Sequence, residues 1–453
     1  MSNSRALKFG ALFWLAALFL VWPIPHTIAV RNLLLLGGFV AWVIFARNDL
    51  RKMLDPPSVR RPLLWLAIVS AWLIFQAVTV AAFPSRTWDE LRAQWLTPLI
   101  CLTTGLIVGY CGKTEKAGFD QRELLITISA VLLAQVTFTV LDSVVYWIGN
   151  GTLPFQQTRL TNTKADMSFL NNIVLTLLCA DLLSRLNKKG QLLPFGLAVP
   201  IIGLALALFC TYQLQARNGV IGVAFLTLSC AGLYLYDHRG RLTARATGFA
   251  FLIVAVVVGA LGWLSYKSDP RWLAFNQTVP IALDTEHHKA WRDDQEPFPV
   301  MPNGARVDIS AYLRIAWFKE GLLLVKENPL GIGYDRKAFS AALRRKYKDL
   351  SPIFEHSHSG WLDWAIGAGI PGTVLLLGFF ASLLRAGGLA YYAYRSPYGL
   401  VVVFMVTGFA SRMVVDGNNH DHSLQQFMFM IGLLLPMLHP GAAARPAAER
   451  TPV

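Results

Sequence analysis

Long apolar runs alternate with short polar stretches along most of the chain. Runs of about 18 or more residues recur, and each is long enough as a helix to cross roughly 30 Å of hydrocarbon. Apolar runs buried inside soluble domains stop at about 10 to 14 residues. The pattern predicts twelve spans, near 7–24, 28–46, 63–83, 94–111, 124–148, 165–184, 193–213, 218–236, 247–266, 371–386, 398–415 and 423–439. The ten-residue alternating segments of a closed β-barrel do not appear. The expected class is an all-α polytopic membrane protein with about 12 transmembrane helices. The first run, "ALFWLAALFLVWPI", lacks a small-residue cleavage site and is followed at once by a second, so it is read as a retained span.

The polar stretches between the runs orient the chain. On the side that holds both termini they carry 20 Lys and Arg, while the short loops of the other side carry 5. By the positive-inside rule both termini are cytoplasmic. This changes the meaning of the net charge of +14, which alone would suggest nucleic acid. It is mostly a topology signal, and no nucleic-acid partner is expected. A composition 54% hydrophobic and only 15% charged agrees with a bilayer as the main solvent. All five cysteines fall in or beside spans without CxxC spacing, so they read as small packing residues.

One polar stretch is too long to be a connection. Residues 267–357 form a large loop on the periplasmic side, with 14 basic and 12 acidic residues. The expected organisation is therefore spans one to nine in 1–266, the loop in 267–357, a motif helix with spans ten to twelve in 358–440, and a disordered tail in 441–453. No internal repeat is visible. The loop starts irregularly around "DTEHHKAWRDDQEPFPVMPNGARVD" and then turns helical. "DISAYLRIAWFKEGLLLVKENPLGIGY" has an Asp/Ser start and an Asn-Pro-and-Gly stop. A second, basic amphipathic helix follows in "RKAFSAALRRKYKDL".

The chemistry begins with absences. There is no GxxxxGK[ST] loop for ATP, and no cytoplasmic DxD pair to hold a metal with a nucleotide-sugar. A transferase here would draw its energy from a lipid-borne donor. In the first loop helix, the 3.6-residue period puts Arg314 on one face with Phe318, Gly321 and Val325. Lys319, Glu320, Lys326 and Glu327 fall opposite. A buried guanidinium with no acid in its stripe fits a phosphate or diphosphate ligand, or else pairs with a remote carboxylate. Arg217, in "LQARNGVIGV", sits in a very short turn on the same side, where Asn218-Gly219 suggests a tight turn. It would bind a headgroup phosphate or snorkel to the interface. Arg159 and Lys164 precede a polar span whose Asn171 and Asn172 suit either a hydrated cavity or interhelical packing.

His358, in "EHSHSGWLDWAIGAGIPG", stands where the chain re-enters the membrane. Its unperturbed pKa near 6.5 suits a general base, and Glu355 would orient the ring if the turn is helical. The alternatives are a helix cap or a metal site. No histidine spacing involving His287, His288, His420 or His422 is metal-specific, so no metal ligand set and no cofactor is expected. Arg412 and Asp416, one helical turn apart, read as a structural pair or as part of a cavity wall. Arg344, Arg345, Lys346 and Lys348 read as a solvated face or as contacts to an acidic acceptor.

Three local patterns resemble the O-antigen ligase and polymerase superfamily of bacterial membrane glycosyltransferases. "HSGWLDWAIGAGIPG" is similar to the family's His-x3-Leu pattern with two later glycines, and it selects His358, Leu362, Gly369 and Gly372. "RIAWFKEGLLLVKENPLGIGY" resembles the segment supplying Arg314, Trp317, Pro329, Gly331 and Gly333. "ARNG" resembles the Ser-Arg-Gly turn, giving Arg217. Ser359 stands where the family usually has asparagine, and Ala216 replaces the serine.

The resemblance implies a GT-C-like helical fold in the bacterial inner membrane. It implies transfer of a glycan from undecaprenyl diphosphate at the periplasmic face, with His358 as base and Arg314, Arg217 and Arg159 on the diphosphate. The loop and chain length look more like the ligase, whose acceptor is the lipid A–core of lipopolysaccharide. The alternatives are the polymerase, which uses a second undecaprenyl-linked glycan, and a polysaccharide transporter.

Overall fold

The computed structural model describes residues 2–240, 271–347 and 356–439, and between the first two stretches residues 248, 251–252, 255–256, 259–260, 262–264 and 266–267. Helix dominates them. Among the described residues the only extended pairing is an isolated bridge between Val300 and Arg306.

Among the described residues seven helices are long and apolar enough to cross a membrane. They are α2 (Ile28–Ala46), α4 (Pro57–Thr79), the continuous rod Pro84–Thr114, α7 (Gln121–Asn150), α8 (Lys164–Leu186), α10 (Arg217–His238) and α14 (Gly360–Tyr394). The rod joins α5 (Pro84–Glu90) to α6 (Thr97–Thr114) through a π-helical turn at Leu91–Leu96, so it starts ten residues ahead of the expected span. A short helix, α3 (Leu50–Leu54), precedes α4. Four further expected spans coincide with α1 (Ser2–Val21), α9 (Ala198–Leu214), α15 (Pro397–Arg412) and α16 (Asp421–Leu434). The ninth, near 247–266, and the tail 441–453 lie largely or wholly outside the described residues. Phe13, Leu33 and Ile148 are each more than 70% exposed on the bundle's outer surface. Large apolar side chains so placed are stable against lipid rather than water. The chain is a multi-pass membrane protein.

The centre of the bundle is the pair α6 and α16. Every residue from Ser423 to Leu434 is buried. Close approach depends on three glycines. A Cβ on Gly105 would lie 2.2 Å from the Phe429 carbonyl oxygen, one on Gly109 2.1 Å from that of Leu433, and one on Gly432 2.1 Å from that of Leu102. Small residues at such crossings let backbones touch, which is how helices gain packing where lipid removes the hydrophobic drive.

An outer layer caps one end of the bundle. It contains α11 (Arg271–Leu283), α12 (Ile309–Glu327) and α13 (Ala338–Lys346). The helix α11 was not anticipated, since the loop was expected to open irregularly. The start and stop of α12 follow the sequence signals. Asp308 accepts from the amides of Ser310 and Ala311, and the helix ends at the Asn328 cap. Its buried face differs from the expected one. Tyr312, Ala316, Trp317, Glu320, Gly321 and Leu324 are buried, whereas Phe318 is exposed. The expectation placed Glu320 in solvent. Instead its carboxylate accepts from Thr285 and Tyr347 hydroxyls at 2.9 and 3.0 Å, with Lys346 3.5 Å away. Those partners lie far along the chain, so helical periodicity alone could not supply them.

The layer is hooked to the membrane helices by main chain. Within α14 the backbone breaks at Gly369 (φ 74°, ψ 178°), a conformation nearly confined to glycine. The segment Pro329–Gly333 docks into that break. Ile332 and Gly333 amides donate to the Ile366 and Gly367 carbonyls, and Ile370 donates to that of Pro329. Buried Gln76 on α4 donates to the Leu330 and Gly367 carbonyls at 2.7 and 2.8 Å. A Cβ on Gly331 would lie 2.3 Å from the Gly367 oxygen.

Candidate active site

His358 occupies a tight turn just ahead of α14, with φ at +58°. The turn is fixed on both sides. Asp363 accepts from the Ser357 amide at 2.9 Å, and the Ser357 hydroxyl donates to the Ser359 carbonyl at 3.0 Å. Ser359 caps α14 and donates its hydroxyl to the Met413 carbonyl at 3.2 Å. The serine that replaces the family's asparagine therefore still ties the turn to the end of α15. The imidazole stacks on Trp317 of α12, with centroids 5.5 Å apart and planes 16° from parallel. Trp317 is itself held by an indole bond to the Trp291 carbonyl. The His356 ring lies 4.2 Å from that of His358.

Burial, then the positive charges of His356 and Arg314, push the His358 pKa down to about 3, while Asp416 opposes them. The ring is therefore neutral at pH 7, with a lone pair available. A base this weak gains strength only when negative charge arrives beside it.

Two arginines converge near this turn from different elements. Arg217 opens α10 and Arg314 comes from the flank of α12. Both line one cavity of about 540 Å³ whose other walls include Val220, Ile221, Phe275, Ile315 and Val415. Arg217 contacts Asp308 at 3.3 Å. The connection at Arg217 differs from the expected Asn-Gly turn. Gln215 is the left-handed residue, while Asn218 and Gly219 belong to the first turn of α10. Helix geometry there lets Gly219 rest on Ser168 of α8, where a Cβ would meet the hydroxyl at 2.5 Å.

Arg412 and Asp416 form the pair expected from their spacing, at 2.7 Å. Arg412 is 1% exposed and also donates to the Ser168 hydroxyl and the Ala165 carbonyl. Asp416 accepts from Asn218, next to Arg217, at 2.7 Å. The Asp416 carbonyl accepts from the Gly360 amide. This network binds α8, α10 and α15 to the His358 turn. Asn171 resolves as a packing residue, donating to the Ala207 carbonyl and Thr211 hydroxyl of α9.

Other candidates stand apart. Arg159 pairs with Asp142 at 3.4 Å and lines a separate polar cavity of about 290 Å³ that also includes Lys164. Lys164 donates to Gln156. Lys346 pairs with Glu327 and Glu320, and Arg344 and Arg345 are exposed beside it on α13. Glu355 and Lys348 lie outside the described residues. Sequence reasoning gave Trp317 no role beyond the motif, and it missed Asp308 beside Arg217 and Ser168 beneath Arg412. The last two are partners across elements, and those pairings carry no local signal. Among the described residues no group of three or more His, Cys, Asp or Glu is placed to hold a metal ion.

Fold and site together define a multi-pass helical membrane protein with a largely apolar cavity lined by two arginines, one of which, Arg314, acts electrostatically on a partly buried histidine. Residues 202–377 match the family described as O-antigen ligase, and that stretch contains Arg217, Arg314 and His358. The match covers more than a third of the chain and is consistent with the superfamily of O-antigen ligases and polymerases. No curated protein matches the chain.

Proposed function

We propose that the protein is an O-antigen ligase. It would transfer a glycan from undecaprenyl diphosphate to a hydroxyl of the lipid A–core at the periplasmic face of the inner membrane. The twelve-span, GT-C-like arrangement with both termini cytoplasmic belongs to the same reading. The observation that carries it is the cavity in which Arg217 and Arg314 meet apolar walls; His358 is not part of its lining but feels the charge of Arg314 and stacks on Trp317, one helical turn from Arg314. A lipid diphosphate is apolar along its chain and doubly anionic at its head, so it matches both features.

The sugar on such a donor is already activated. As the bond from its anomeric carbon to the diphosphate oxygen breaks, the electron pair stays on that oxygen. Fixed guanidinium groups stabilise the growing charge in a cavity of low dielectric. They supply positive charge where many transferases use a divalent ion, so a chelator should leave the rate unchanged. The acceptor hydroxyl forms the new bond to the anomeric carbon and gives its proton to His358. Direct displacement inverts that carbon. The bound diphosphate would act against one of the smaller causes of that weakness, because its charge offsets that of Arg314, while burial, the largest cause, is unchanged by it.

Purified protein incubated with undecaprenyl-diphosphate glycan, lipid A–core and a chelator should yield the joined glycolipid. Elongated lipid-linked glycan instead, formed without the core, would make the protein a polymerase. An intact donor in both mixtures would defeat the transferase reading.

A further inference from the structure

A second cavity lies at the opposite end of α14. It has a volume of about 520 Å³ and is walled by the first turns of α4, the last turns of α14 and the Leu438–His439 end of the chain's final helical turn. Most of its lining is apolar, including Leu64 and Leu389, which are 60% and 50% exposed on its lip. Trp65 forms one wall by lying on Gly378, where a Cβ would meet its ring at 2.5 Å. Into this apolar cleft project two cations, Arg61 and Arg385, with the hydroxyl residues Ser58 and Ser382 beside them.

Among the described residues no carboxylate lines the cavity. Among the described residues neither guanidinium has an ion pair or a hydrogen bond. Arg385 is nine residues short of the end of α14 at Tyr394, about 14 Å of helix at 1.5 Å per residue. A guanidinium that far from a helix end, unpaired and in an apolar cleft, is costly unless an anion meets it. The charge bias of the loops places this end on the cytoplasmic side, where membrane lipids are themselves partly anionic.

We propose that this cleft is a binding site for an anionic glycerophospholipid of the cytoplasmic leaflet. Arg61 and Arg385 hold its phosphodiester, the Ser58 hydroxyl, which has no partner among the described residues, donates to a phosphate oxygen, and the acyl chains lie along Leu64 and Leu389. Both side chains are exposed at the cleft, so each guanidinium can reach a headgroup laid in it. The lipid bridges α4 to α14, the helix whose other end carries the His358 turn. The site depends on the helices lying in a bilayer and not on the transfer chemistry at that other end.

The test uses full-length protein in detergent, titrated with phosphatidylglycerol or phosphatidylcholine of equal chain length and read by native mass spectrometry. The native chain should prefer phosphatidylglycerol. One arginine near a membrane surface is worth about fivefold in affinity for anionic lipid, so R61Q/R385Q should bind it about thirtyfold more weakly. R61K/R385K should keep most of the preference. Ala381→Trp, which fills the cleft without changing charge, should weaken both lipids and serves as a second variant should the double one fold poorly. Equal affinity for the two lipids, or an unchanged preference in R61Q/R385Q, would overturn the site. So would full displacement of the lipid by millimolar glycerol phosphate, which would show a headgroup site with no acyl component.

Discussion

At the scale of single residues, the proposed function divides the work between the His358 ring and the charges of Arg217 and Arg314. Replacing His358 with glutamine should lower turnover by about two to four orders of magnitude while donor binding persists, measured as turnover and as donor affinity on the same preparation. Arg314→Gln should instead weaken donor affinity itself, by about ten- to hundredfold if one charge-assisted contact to the diphosphate is lost. Unchanged affinity would remove Arg314 from the site. The buried histidine also leaves a mark on stability. Its pKa falls from the ordinary 6.5 to about 3 in the folded chain. Below about pH 6.5 the unfolded chain therefore takes up a proton that the folded chain refuses. Stability from this group is complete above that pH and is lost as the pH drops toward about 3. His358→Gln should flatten the acid side of a melting-temperature profile, and an unaltered slope there would contradict the burial of the ring.

At the scale of elements, the glycine break at Gly369 sets how the outer layer joins the bundle. Gly369→Ala would force a side chain into a glycine-only backbone state with its Cβ 2.3 Å from the Leu330 carbonyl carbon. Strain of about 1–3 kcal/mol, plus the clash, should lower the melting temperature and the activity together. Much of this scale was legible in the sequence. The caps of α12, its Asn-Pro stop and the one-turn pair Arg412–Asp416 are local patterns, and local patterns are what a sequence displays. The buried face of α12 was not legible, because Glu320 is satisfied by Thr285 and Tyr347, 35 and 27 residues away. The site was half legible for the same reason. Motif resemblance singled out Arg217, Arg314 and His358, but only the fold brings α10 and α12 to one cavity and leaves Arg159 at another.

At the scale of the whole molecule, the orientation proposed from loop charge is open to a direct check. A cysteine introduced at Asn303 should react with an impermeant maleimide in intact spheroplasts, and one at Lys52 only after the membrane is opened. Both positions are exposed, while native Cys101, Cys111 and Cys210 are buried and should stay silent. The reverse labelling pattern would invert the topology. The hook at Gly369 has a broader consequence. Its bonds run through main-chain atoms and one glutamine, so it recognises shape and spacing rather than side-chain identity. Substitutions elsewhere in the outer layer leave such a joint intact, whereas a single inserted residue between Asn328 and Gly333 would jam it. The layer is in effect a cassette. Apart from the side chains that reach the site or the bundle, Asp308, Arg314, Trp317 and Gly321, the segment from α11 through α12 can diverge between proteins that keep the same joint.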